Sequence, residues 1–159
     1  MLFNGEDVLA VLLVASSACQ ILRDLADKTG NVEIHEHLKA LIRPGMEGKF
    51  WQAFNSAASY LKHADRDPDE VLTFDDDLPE SIIIYCCMYF SQIAKITTAE
   101  MRALRMWYGV MNPDLVIDGT PAKALVEQSN FADWRRGSRA DRLAHGRELL
   151  AAAMARHLS

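Results

Sequence analysis

Glycine and proline are scarce in this chain, eight and five among 159 residues, and neither a G-x-G-x-x-G turn, a Walker-type phosphate loop nor an H-E-x-x-H helix occurs. Enzyme classes that carry short local signatures therefore have no support, because phosphate cradling needs a glycine-rich backbone and a zinc protease needs two histidines one turn apart. Cysteine is scarcer still. Cys19, Cys86 and Cys87 form no C-x-x-C and no His/Cys ligand spacing, which excludes a disulfide framework and a zinc finger and leaves reduced, buried thiols in a cytoplasmic protein as the expectation. A basic excess is also lacking. A net charge of -5 and a pI near 5.5 argue against a general nucleic-acid binder, whose footprint is a basic face. The longest uninterrupted apolar runs, 8–15 and 82–90, fall short of the ~20 residues of a spanning helix. Glu6 and Asp7 stand where an export signal carries lysine or arginine. Neither a membrane segment nor a signal peptide is expected.

What is present is a helical pattern. Half of the residues are apolar and a quarter charged, an ordinary composition for a globular chain that folds alone. Asn4 with Glu6 and Asp7 predicts a helix start, and Gly30 its end; Val8, Leu12, Ala15, Cys19, Leu22 and Ala26 recur between them at three- and four-residue steps. A second helix is predicted over 31–43, stopped by Pro44-Gly45, and a third from 47 to 64 with Phe50, Trp51, Phe54, Ala57, Ala58 and Leu61 on one face. An acidic connector, 65–77, leads to a fourth helix opened by Asp77-Leu78-Pro79-Glu80, whose IIIYCCMYF centre should be buried nearly all round. Thr97-Thr98-Ala99-Glu100 reads as a capping box for a fifth, Ala122 to Ser129 as a sixth, and Ser138-Arg139-Ala140-Asp141 opens the last, running to about His157. The expectation is an all-α, single-domain bundle of six or seven helices over 1–159, with at most one two-stranded element at 71–74 or 115–118. The first and fourth helices carry more apolar surface than such a bundle easily hides, so a homodimer is expected.

One stretch stands out. Lys62-His63-Ala64-Asp65-Arg66-Asp67-Pro68-Asp69 packs six charged or titratable side chains and a helix breaker into eight positions. As a helix end it places Lys62 and His63 against the negative end of the dipole, while Pro68 prevents resumption. Arg66 could then bridge to Asp24, Asp27 or Glu33. As a calcium loop, Asp65, Asp67 and Asp69 occupy the first, third and fifth places, but Glu70 stands where glycine is needed and Asp76 where a bidentate glutamate is needed. A transition-metal site would join His35, His37 and His63, yet histidines two apart on a helix point about 200° apart. No metal and no cofactor are expected. The remaining reading is a closed polar network of Lys62, His63, Asp65, Arg66 and Asp67, the candidate functional cluster.

A second candidate pair is Arg139 and His145 in RADRLAH. Small helical ribonucleases of the HEPN superfamily carry an arginine four to six residues before a histidine, and an all-helical chain of this length is similar to them. Under that resemblance Arg139 would hold the scissile phosphate and His145 would move a proton. Ala140 departs from the polar residue that often follows the arginine, and a solvated basic face accounts more simply for the six arginines and three acids of 133–157.

KHADRDPD at 62–69 also resembles the signature of a family of small uncharacterised bacterial proteins, in which an aromatic-rich helix ends in a K-H-A-D-R-D-P run. In that family an earlier helix carries an alanine-rich segment and a leucine pair, as ASSACQILRDL does at 15–25. The resemblance spans about residues 8 to 77, with Ser59 where the family has asparagine. It implies no activity, only that the cluster acts together. The leading expectation is a non-catalytic interaction or ligand-sensing module. The alternative is a hydrolase or HEPN-like endoribonuclease using His63 with Asp65 or Asp67, or Arg139 with His145, and only in that case is nucleic acid expected as a partner.

Overall fold

The computed structural model describes residues 2–31, 33–39, 45, 47–63, 71, 73 and 75–156. Among the described residues there is no strand, so the all-α expectation holds. Eight α-helices follow in order: α1 Val8–Lys28, α2 Glu33–Lys39, α3 Glu47–His63, α4 Leu78–Ala94, α5 Ala99–Met111, α6 Pro121–Val126, α7 Ala132–Arg136 and α8 Arg139–Ala155. Of the two places where an extended piece was allowed, Val71 and Thr73 lie outside any element and residues 113–115 form a single 3-10 turn. The short α7 is an element the sequence pattern did not reveal, since five residues are too few to show a period.

The chain forms two compact units, one over Asp7–Ile96 and one made of Met1–Glu6 with Thr97–Ser159. In the first, α1 and α4 pack as the principal pair. Leu12, Ala15, Cys19 and Ala26 meet Ile82, Tyr85 and Tyr89, with Ile34 from α2 and Phe54 from α3 completing a buried cluster. Cys86 donates to the carbonyl of Ala15 at 3.4 Å. It also shares a hydrogen bond with Cys19, which with burial holds the Cys86 thiol well above its ordinary range. All three cysteines are free thiols, but Cys19 alone of the three is buried, and Cys86 and Cys87 are half-buried, short of the burial expected. The expectation for α4 needs tempering. Ile82, Tyr85 and Tyr89 are buried but the rest of its apolar centre is half-buried and Phe90 is exposed.

Helix starts are set by local chemistry, with three corrections. The first helix begins not at Asn4, which sits in a 3-10 turn, but at Val8, where Asp7 caps by accepting from the Ala10 amide at 2.8 Å. A carboxylate one residue before the apolar period outcompetes an asparagine four before it. Asp77 precedes α4 but its side chain makes no cap bond; the Pro79 ring in the first turn and the Asp75 side chain on the Asp77 amide, 3.2 Å, take that role. Thr98 rather than Thr97 caps α5, and Ser138 with Asp141 forms the full reciprocal box on α8.

In the second unit Trp107 is wholly buried, its indole donating to the Arg142 carbonyl at 2.7 Å. Phe3 lies edge-on to it at 5.2 Å and presses on α8 at Gly146, where an added Cβ would collide with the Phe3 ring. Arg135 reaches the carbonyls of Val110 and Val126 at 3.1 and 3.2 Å, satisfying two acceptors that the ends of α5 and α6 leave without helical partners. Arg147 donates to the Phe3 carbonyl. Part of the basic charge of the last quarter of the chain therefore holds this unit together.

Candidate functional site

The site lies in the first unit and begins with the way α1 stops. Gly30 adopts φ +72°, the left-handed conformation that glycine enters at no steric cost. Its amide donates to the Asp27 carbonyl at 3.2 Å and the Asn31 amide to the Ala26 carbonyl at 2.9 Å, the paired bonds of a Schellman ending. That reversal returns the chain over the last turn of α1. Ile34 drops into the core, and His35, one position on, meets both α1 and α4.

His35 is held at both ring nitrogens. Its Nε2 lies 2.8 Å from Asp27 Oδ1 and its Nδ1 2.7 Å from the Tyr89 hydroxyl. Burial pushes the Tyr89 phenol up to about 12, against the opposing pull of Arg23, so this hydroxyl keeps its proton at neutral pH. The Asp27 carboxylate oxygen accepts from Nε2, while the Tyr89 hydroxyl, which can give or take a hydrogen bond, partners Nδ1. The chain Tyr89 to His35 to Asp27 thus ties α4, α2 and α1 together.

Around this relay opens a cavity of about 780 Å³ lined by Arg23, Asp27, Glu33, His35, Glu36, Trp51, Asn55 and Tyr89. Arg23 and Asp27 are one turn apart on α1, as Trp51 and Asn55 are on α3, so each helix offers two side chains on one face. Arg23 lies over the Trp51 ring, 4.6 Å from its centroid, a cation–π contact worth about 0.5 to 2 kcal/mol depending on solvation. Trp51 is fixed from behind by the rings of Phe54 at 5.4 Å and Tyr85 at 6.3 Å. The volume is that of a small-molecule site. Its lining carries three carboxylates against one guanidinium.

Lys62 and His63 occupy the last turn of α3, as their dipole argument required; their side chains, and Asp65, Arg66 and Asp67, lie outside the described residues, as do Asp69 and Glu70 of the calcium-loop reading. The HEH stretch is helical, as read from the sequence, and no His/Cys/Asp/Glu group suited to a metal occurs among the described residues. Arg139 opens α8 and His145 follows six residues later, about 120° round the helix and ~9 Å along it. His145 stacks flat on Trp134, centroids 4.2 Å apart and planes 5° apart, with its Nδ1 3.3 Å from Glu148.

No family model matches the chain, and neither a curated protein nor a solved structure matches it. The chemistry of the cavity must therefore be argued from its own atoms. Sequence reasoning missed it because Asp27, His35 and Tyr89 stand eight and 54 residues apart. The usable signal was the DKTGN ending, which predicts a reversal that brings whatever follows back over Asp27.

Proposed function

We propose that this chain is a non-catalytic binding module that holds a small organic cation in the cavity of its first unit. The observation that carries the reading is the two-sided hold on His35 within a predominantly acidic, aromatic-walled cavity. A general base needs a ring nitrogen free for the substrate proton, and both are engaged. A tyrosine nucleophile needs a lowered pKa, whereas the Tyr89 hydroxyl is buried and its proton is held more tightly than in water. Asp27, Glu33 and Glu36 favour an ammonium or guanidinium guest, and the rings of Trp51 and Tyr89 supply apolar wall.

Calorimetric titration with putrescine, spermidine and agmatine, against acetate and phosphate as controls, tests the reading. The amines are expected to bind and the anions not, and Glu33→Gln with Glu36→Gln to weaken amine binding at least tenfold. Absence of heat with every amine, or affinity indifferent to the double substitution, would overturn it. The hydrolase or HEPN-like reading predicts instead RNA cleavage abolished by His145→Ala or His63→Ala, and such cleavage would displace the binding module as the primary activity.

A further inference from the structure

α1 carries two stripes rather than one. The core stripe, Leu12, Ala15, Cys19, Leu22 and Ala26, is packed within the first unit. A second, about 110° round the helix, consists of Val14, Ala18, Ile21 and Leu25, and three of these are large apolar residues left 55%, 66% and 42% exposed in that order. Scattered exposed leucines and valines need no explanation, but apolar side chains aligned at four, three and four residues are the a/d spacing of a helix-pairing seam. α4 offers nothing comparable, since Phe90 is the large apolar residue it exposes. The helix as a whole has 21 residues and a mean hydropathy of 1.7 over its most apolar window, of which 28% is buried in the structure.

We infer that this stripe pairs with the same stripe of a second copy of the chain, the two α1 helices running antiparallel. The spacing four, three, four reads the same from either end, so an antiparallel copy sets Val14 against the partner's Leu25 and Ala18 against the partner's Ile21, twice over by symmetry. That is the self-complementarity a two-fold interface demands. Charge selects the direction. Asp7 stands at the start of α1 and Lys28 closes its last turn. Running antiparallel brings Lys28 to within about one turn, ~5.4 Å along the axis, of the partner's Asp7, whereas a parallel pair sets like charges together. Gln20 and Asp24, hydrogen-bonded to each other at 2.7 Å, lie to the polar side of the seam. A single helix pair is at the low end of specific interfaces, on the order of 1,000 Å², so association is expected at tens of micromolar.

Sedimentation velocity of the full chain from 5 to 200 µM tests this, beside Ile21→Asp, Lys28→Glu and vesicle flotation. Wild type is expected to move from the 17.8 kDa chain mass to twice that value across the range. Ile21→Asp, at an exposed position, should keep the helical circular dichroism and stay monomeric, a loss of at least a hundredfold in association, and Lys28→Glu should weaken pairing several-fold. A wild type monomeric throughout, or a dimer indifferent to Ile21→Asp, would overturn the seam. A monomer that floats with phosphatidylcholine vesicles would overturn it as well, assigning the stripe to a lipid surface.

Discussion

His35 and His145 sit in different units and meet similar partners, an aromatic ring and a carboxylate, with opposite results. His35 is pinned at both nitrogens between Asp27 and Tyr89, which come from helices far apart in sequence. His145 lies flat on Trp134 with one nitrogen near Glu148, three residues along its own helix. The first histidine is part of what ties three helices together by hydrogen bonds; the second meets α7 only by ring stacking on Trp134, on a helix that the Ser138 box and the Trp107 core already fix. A residue type alone does not tell a histidine held at both nitrogens from one held at a single nitrogen. What differs is the polar hold: both nitrogens of His35 are bonded from two other helices, whereas the one bonded nitrogen of His145 meets a carboxylate of its own helix.

The largest effect expected from testing this contrast is in the second unit. Trp107→Ala removes a wholly buried indole and the bond to the Arg142 carbonyl, and should cost about 3 to 5 kcal/mol in urea unfolding. His145→Ala, measured the same way, should cost far less. A His145 loss as large as that of Trp107 would mean that the stacked pair, not the indole, organises this unit.

An intermediate effect is expected in the first unit. Tyr89→Phe leaves His35 Nδ1 without its hydrogen-bond partner, a loss of about 1 to 3 kcal/mol, and Asp27→Asn should be strongly non-additive with it if the relay is one network. The same tyrosine gives a pH signature. Its folded pKa near 12 exceeds the unfolded value of about 10. The unfolded chain therefore releases the proton first, and the stability that Tyr89 contributes is complete below about pH 10 and lost as pH rises towards 12. Alkaline unfolding of wild type compared with Tyr89→Phe should show this slope only in the wild type; parallel curves would remove the buried-phenol argument.

The smallest effect is local. Ser138→Ala should cost about 0.5 to 1 kcal/mol through loss of the cap. The bond from Ser138 holds the Asp141 carboxyl below its ordinary range. Its contribution is therefore present above the unfolded carboxylate value, and lost as pH falls through the lower folded one. Acid titration of the variant should lack that part of the wild-type curve.

Legibility followed the range of the interactions. The Ser138 to Asp141 box was readable because donor and acceptor lie three residues apart, and the ends of α1 and α3 were readable from Gly30 and from Lys62-His63. Asp7 was visible but ranked behind Asn4, since cap propensity alone does not settle which of two neighbours wins. Asp27 was noted as a partner for Arg66, but its bond to His35 was not seen. Within the cavity, Trp51 was placed on a core-facing stripe, whereas its guanidinium neighbour Arg23 carried no signal at all.

The sequence by itself determined that the chain is helical, where most helices begin, and that its cysteines form no ligand set, because capping, periodicity and spacing act within a turn or two of backbone. It also carried the four, three, four stripe on α1, which needs no neighbour to be read. Only the tertiary structure decided that His35 joins Asp27 and Tyr89, that Arg23 covers Trp51, and that a cavity opens between them. Those contacts arise from packing α1 against α4 and folding α2 back over both, and side chains brought together by packing leave no periodic trace in the chain.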